Sequence, residues 1–207
     1  METLEQIVDK YGYVKGTNRG TGYGNQGGDL NKNNYTKFYT EYFEPLRHDY
    51  LDILEIGVFK GRGIAALSDY FHNSTIYGLD LSNKEFKLSY NDLSKMGAFT
   101  NDNLNGVYSG DSTKQKTWDE EVKFFPPFDI IVDDGLHRLK AQHQTFLNFW
   151  PRLKKGGIYL IEDILPSNEV PLQKLLKESA YTEEIDELEI KIPTPKARLF
   201  FIRKNYE

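Results

Sequence analysis

Two short segments concentrate groups that could hold a cation or move a proton. Asp133, Asp134 and His137 close the apolar run "FDIIVDDGLH" (128–137), and Glu162 and Asp163 close "LIEDI" (160–164). Carboxylate oxygens are what a hard divalent cation takes as ligands, and Mg²⁺ keeps some octahedral positions open for water or substrate hydroxyls. A neutral imidazole suits proton removal near pH 7. Like charges crowded at one edge of a low-dielectric cleft would cost roughly several kcal/mol, which a cation relieves. Adjacent strand residues point to opposite faces, so the four acids cannot all meet one ion unless the strand ends curl. Asp134, Glu162 and Asp163 are the expected Mg²⁺ ligands and His137 the expected general base. Asp133 is left nearer a bound cofactor. Taken singly, "DDGLH" also reads as a glycine turn with a surface histidine, and "IED" as a capped strand end.

Three more strand ends carry acids. "LEIGVFKGRG" places Glu55 ahead of Gly57, Gly61 and Gly63. This spacing is not the dinucleotide G-x-G-x-x-G. Its glycines permit close backbone approach, while its acid would repel a pyrophosphate and attract an ammonium group. "YGLDL" ends at Asp80, where an acid commonly accepts hydrogen bonds from ribose hydroxyls. "YSGDS" ends at Asp111, where an acid can accept from an adenine amino group. The structural alternatives are a tight turn at Gly57 and helix caps at Asp80 and Asp111, with Ser82, Ser112 and Thr113 as competing caps.

The elements that must position these residues alternate strictly. From Asp52 the sequence runs strand, helix, strand, helix through "DILEIGV", "GRGIAALSDYF", "TIYGLDL", "NKEFKLSYNDLSKM", "GVYSGD", "TKQKTWDEEVKFF", "FDIIVDDG", "RLKAQHQTFLNFWPRLK", "GIYLIEDI" and "VPLQKLLKESA". "IDELEIKI" and "ARLFFIRK" read as a closing pair of strands. Near-continuous apolar strands alternating with helices mean a mostly parallel sheet covered on both faces, an α/β fold. Ligands bind such sheets outside the carboxyl ends of the strands. Residues 1–51 are expected to hold helices and a Gly-rich lid (Gly16 to Gly28), and residues 52–207 a single compact core. "YTKFYTEYFEPLR" keeps helical spacing of aromatics. His48, His72 and His143 are read as structural or solvated.

Composition narrows the partners. With 26 basic against 31 acidic residues, net −5, nothing points to nucleic acid or an anionic membrane. The chain has no cysteine, which excludes disulfides and thiolate metal sites and favours a cytoplasmic location. No apolar run reaches membrane-spanning length.

The strand-end acids together resemble the class I S-adenosylmethionine-dependent methyltransferases, a Rossmann-like fold with a seven-stranded sheet and a C-terminal antiparallel hairpin. The resemblance covers roughly Asp52 to Lys204. It implies Glu55 and Gly57 by the methionine moiety of S-adenosylmethionine, Asp80 by its ribose and Asp111 by its adenine. "IIVDDGLH" followed by "LKKGGIYLIEDI" is similar to the metal-dependent sugar O-methyltransferases of macrolide tailoring. In those enzymes the positions of Asp134, Glu162 and Asp163 hold Mg²⁺ and that of His137 is the base. Their N-terminal motif is partly kept, with Lys15 and Tyr35 in place as cofactor-side residues and Asn34 where histidine is usual. The implied acceptor is a sugar or glycan hydroxyl, such as that of the deoxyhexose rhamnose. A catechol-type acceptor, and a cofactor-binding module without catalysis, are the competing readings. The compact length is similar to methyltransferase domains of large algal viruses appended to glycosyltransferases. Fusion to or action with a glycosyltransferase, and a homo-oligomer, are compatible with it.

Overall fold

The computed structural model describes residues 1–12, 34–117, 120 and 122–206. Lys15 and the Gly-rich 16–28 segment lie outside the described residues.

Five strands, β1 (Asp52–Ile56), β2 (Thr75–Asp80), β3 (Leu104–Ser109), β4 (Phe128–Asp133) and β5 (Leu153–Ile164), pair in parallel. The hairpin of β6 (Ile185–Thr194) and β7 (Ala197–Lys204) adds antiparallel to β5. The sheet order is β3-β2-β1-β4-β5-β7-β6. The order reverses between β1 and β4, and this reversal opens a crevice at their carboxyl ends.

The six longer helices described are α1 (Leu4–Gly12), α2 (Tyr35–Phe43), α3 (Arg62–Tyr70), α4 (Lys84–Lys95), α5 (Leu139–Phe149) and α6 (Glu169–Lys177). Strand alternation sorts the core into two layers. Ile53, Ile130, Val132, Ile158 and Leu160 face α1 to α4, where Ile7, Tyr39, Phe43, Ile64 and Phe86 meet them. Leu54, Ile56, Ile131, Tyr159 and Ile161 face α5 and α6, against Phe146, Trp150 and Leu172. Continuing this parity past the core fixes where each acid goes. Glu55 and Glu162 belong to the α1–α4 face, and Asp133 to the α5–α6 face.

Two elements differ from the sequence expectation. Among the described residues of 113–125, Gln115–Thr117 is α-helical and Glu120 and Val122 are π-helical, and the helix does not continue to Phe125. Pro126 and Pro127 close the segment, and Phe125 turns inward onto Tyr77, Tyr108 and Phe128. The helix expected to run to Lys154 stops at Phe149 and tightens into a 3₁₀ turn, Trp150–Arg152, because Pro151 has no N–H to continue it. Strand β5 then begins at Leu153, before the glycines that were expected to end the helix.

Candidate active site

The loop after β1 is built for close approach. The Gly57 amide donates to the Leu79 carbonyl at 2.8 Å, and the Asp134 amide to the Ile56 carbonyl at 2.8 Å, so the ladder carries on one residue past the ends of β1 and β4. Gly57 sits at φ +93°, and a Cβ there would lie 2.0 Å from the Asp134 carbonyl oxygen. Only glycine lets the ends of β1 and β4 touch in this way. A Cβ on Gly63 would lie 2.1 Å from Glu55 Oε1, so that glycine leaves the carboxylate its space at the start of α3.

Glu55 is buried, and its Oε2 accepts no hydrogen bond from any described residue. Burial, and then the charge of Asp80, push its carboxyl up to about 8. Asp80 accepts from the Phe59 amide at 2.7 Å and the Ser82 amide at 3.2 Å, and so ties the β1 and β2 loops together. Asp111 accepts from the amide and hydroxyl of Thr113, at 3.0 and 2.6 Å. The capping alternative at Asp111 is thus present in the structure as a local turn.

The two aspartates of "DDGLH" part company. Asp133 is buried on the α5–α6 face, accepts from the Gly135 amide at 3.2 Å and lies 3.4 Å from the Tyr159 hydroxyl. Burial lifts its carboxyl to about 7, against the opposing pull of the Gly135 amide. Asp133 therefore holds the turn that carries its neighbours. Asp134 turns into the crevice, where its Oδ1 lies 2.9 Å from His137 Nε2, while His137 Nδ1 lies 3.7 Å from Asp163 Oδ2.

Asp163 reaches this group only because β5 curls. It adopts φ +49°, and the β5–β7 register shifts between Ile161 and Ile164. Strand parity would have sent Asp163 away from the crevice; the left-handed residue brings it back. Ligand atoms of Asp134, His137 and Asp163 all lie within 4.8 Å of one another. Glu162 is not in that group. It is buried beside it, and its carboxyl is raised well above the usual range by burial and by the charge of Asp134.

Helix α2 supplies Tyr39, which sequence reading did not assign, and Tyr35, which was expected beside the cofactor and here meets an acid of β5. Tyr35 donates its hydroxyl to Asp163 Oδ1, and Tyr39, one helical turn on, donates to Glu162 Oε1. Both rings are buried, and burial followed by the facing carboxylate raises each phenol, so both stay protonated as donors. The Gln142 side chain donates to the Glu162 carbonyl at 2.9 Å. The i, i+4 spacing of the tyrosines in "YTKFYTEYF" was visible, but it reads equally as core packing. Elsewhere, the His48 and His72 rings meet edge to face with centroids 5.6 Å apart, and burial lowers the His143 imidazole.

A doubly wound sheet thus carries an acid-bearing glycine turn at its switch point and a carboxylate–imidazole group beside it. Residues 54–164, more than half of the chain, match the family model described as a methyltransferase domain, and the chain belongs to that family. It is 27% identical over 137 residues to demethylmacrocin O-methyltransferase of Streptomyces fradiae, covering 63% of this chain and 31% of that protein. It is 26% identical over 140 residues to the 8-demethyl-8-alpha-L-rhamnosyl tetracenomycin-C 2'-O-methyltransferase of Streptomyces olivaceus, covering 64% and 34%. The chain thus spans about a third of the length of these curated relatives. Among solved structures, MycE methyltransferase of the mycinamycin biosynthetic pathway, in complex with Mg and SAH, superposes with a TM-score of 0.71. That match covers 99% of this chain and 55% of MycE at 21% identity. No helix among the described residues is long and apolar enough to cross a membrane.

Proposed function

We propose that the chain is a Mg²⁺- and S-adenosylmethionine-dependent O-methyltransferase acting on a sugar hydroxyl, with a deoxyhexose such as rhamnose as acceptor. The observation that carries this reading is the convergence of Asp134, His137 and Asp163 next to a buried Glu55 whose Oε2 lacks a donor. The donor set fits its ligands: oxygen-rich and over-acidic for a hard cation, with an orphaned carboxylate oxygen for an ammonium group. The relatives support the acceptor class, since their names specify O-methylation, one of them on a rhamnosyl compound.

In this reading Asp134, Glu162 and Asp163 hold Mg²⁺. Glu55 takes the methionine ammonium, the Gly57 turn admits the cofactor's backbone, and Asp80 and Asp111 accept from ribose and adenine. Lys15 and Tyr35 are cofactor-side residues by the resemblance of the N-terminal motif. Bound Mg²⁺ would supply Lewis acidity to the acceptor's hydroxyls and S-adenosylmethionine an electrophilic methyl group. His137 removes the hydroxyl proton. With Nε2–H donated to Asp134, the neutral ring keeps its lone pair on Nδ1, which faces Asp163 beyond hydrogen-bond distance. Asp134 thus fixes the tautomer and steadies the imidazolium that forms. Desolvation of the crevice strengthens these contacts.

The test is an acceptor panel of rhamnosides, hexosides and catechols with labelled methyl donor and Mg²⁺, read by mass. A single methyl group added to a deoxyhexoside is the expected product. Methylation of catechols alone, or of no acceptor on a protein that binds S-adenosylhomocysteine, overturns the sugar reading.

A further inference from the structure

Helix α2 lies outside the 54–164 segment that matches the family model, yet it grips the two consecutive acids of β5. Tyr39 donates to Glu162 Oε1 and Tyr35 to Asp163 Oδ1. The grip is prearranged. Tyr35 and Tyr39 stack one turn apart on the buried face of α2, and Tyr39 is locked edge to face by Phe43 at 4.9 Å and Phe201 at 6.1 Å. Gln142 fixes the Glu162 main chain from the other side. Each phenol engages one oxygen of a carboxylate, which weakens that oxygen as a ligand and disfavours ligation through both. Mg²⁺ demands near-ideal octahedral geometry and takes carboxylates singly, whereas Ca²⁺ accepts six to eight oxygens and readily takes a carboxylate through both.

We propose that Tyr39 and Tyr35 are specificity-determining positioning residues for the metal: by holding Glu162 and Asp163 to one-oxygen ligation, they select Mg²⁺ against Ca²⁺. This rests on the metal site proposed above. Without Tyr39, Glu162 can offer both oxygens, and the site loses its bias toward the smaller ion. Hydrogen-bond partners behind metal ligands commonly carry about 10–100-fold in affinity.

The experiment is calorimetric titration of Mg²⁺ and of Ca²⁺ into wild type, Tyr39→Phe, Tyr35→Phe and Tyr70→Phe, with folding checked by circular dichroism. Tyr70 donates to Glu44, away from the crevice, and controls for the loss of any buried phenol–carboxylate bond. The expected result is a Mg²⁺/Ca²⁺ affinity ratio that falls by ~10-fold or more in Tyr39→Phe, falls in Tyr35→Phe, and stays at the wild-type value in Tyr70→Phe. A folded Tyr39→Phe with the wild-type ratio, including equal weakening of both ions, overturns the proposal. If Tyr39→Phe does not fold, the Tyr35→Phe ratio decides. Wild type that binds neither ion refutes the metal site itself, a separate outcome.

Discussion

Two pairs of acids across the β1/β4 crevice, Asp80 with Asp111 and Glu162 with Asp163, are held by different kinds of donor. On the β1–β3 side, Asp80 and Asp111 are braced by amides and a hydroxyl at most about twenty residues away, those of Phe59, Ser82 and Thr113. On the β4–β5 side, Glu162 and Asp163 are held by phenols more than a hundred residues distant, and Asp163 is brought in by one left-handed residue. Bracing by nearby amides is something that neighbouring strand–loop motifs build between themselves. The phenol bracing of Glu162 and Asp163 exists only when the tertiary fold is complete. Substitutions should therefore separate the halves, and Gly57, where they touch, should not.

The largest expected effect is at His137. Replacing it with Ala should lower the turnover rate by about 10²–10⁴, the usual share of general-base catalysis. Binding of Mg²⁺ and S-adenosylhomocysteine should persist. The deficit should shrink at high pH, where the acceptor hydroxyl ionises unaided; a rate profile from pH 7 to 10 checks this. Wild-type turnover in this variant at neutral pH would reduce "DDGLH" to a turn.

Gly57→Ala should join what other changes separate. Its Cβ would overlap the Asp134 carbonyl at 2.0 Å, and φ +93° is strained for alanine. Both S-adenosylhomocysteine and Mg²⁺ affinities should fall together, with a lower melting temperature. Loss of cofactor affinity alone would mean that the two loops do not depend on each other.

Asp80→Ala should weaken S-adenosylhomocysteine binding by ~1–3 kcal/mol, the cost of losing hydrogen bonds to a charged group, and leave Mg²⁺ affinity in place. Calorimetry with each ligand distinguishes this from a general loss of structure.

The smallest effect is the pH dependence carried by Glu55. Its carboxyl is raised from 4.5 to about 8 in the fold. The native state therefore holds a proton that the unfolded chain gives up, and stability falls as pH rises from about 4.5 to about 8. Glu55→Gln should thus melt higher than wild type at pH 8, with the difference shrinking toward pH 5. A cationic ammonium ligand favours the carboxylate, so S-adenosylhomocysteine should bind wild type with release of a proton below pH 8. Calorimetry in two buffers of different ionisation enthalpy measures that release, and its persistence in Glu55→Gln would assign it elsewhere.

The contrast between the halves also explains what was legible in the sequence. The seven strands, their parallel pairing and the closing hairpin follow from apolar runs and turns. The strand-end acids Glu55, Asp80, Asp111, Asp134 and Glu162 stand out because a parallel sheet delivers its strand ends to one edge. Parity alone separates Asp133 from Asp134. It cannot supply the curl at Asp163, which is a single backbone torsion with no local signature. Nor can it tell that Tyr39 faces an acid rather than a ring, since the same i, i+4 aromatic spacing serves both. The segment at 113–125 departs from expectation only at its end, where Phe125 packs on Tyr77, Tyr108 and Phe128 of the sheet instead of continuing the helix.

The central claim is that the β4–β5 acids hold a metal independently of the cofactor side. It is tested most directly by titrating Mg²⁺ and S-adenosylhomocysteine separately into wild type and Asp134→Ala. The expected result is loss of Mg²⁺ binding in the variant, together with loss of turnover like that caused by a chelator, while S-adenosylhomocysteine binds as in wild type. Unchanged Mg²⁺ affinity in Asp134→Ala, or full wild-type turnover in excess chelator, would contradict the account.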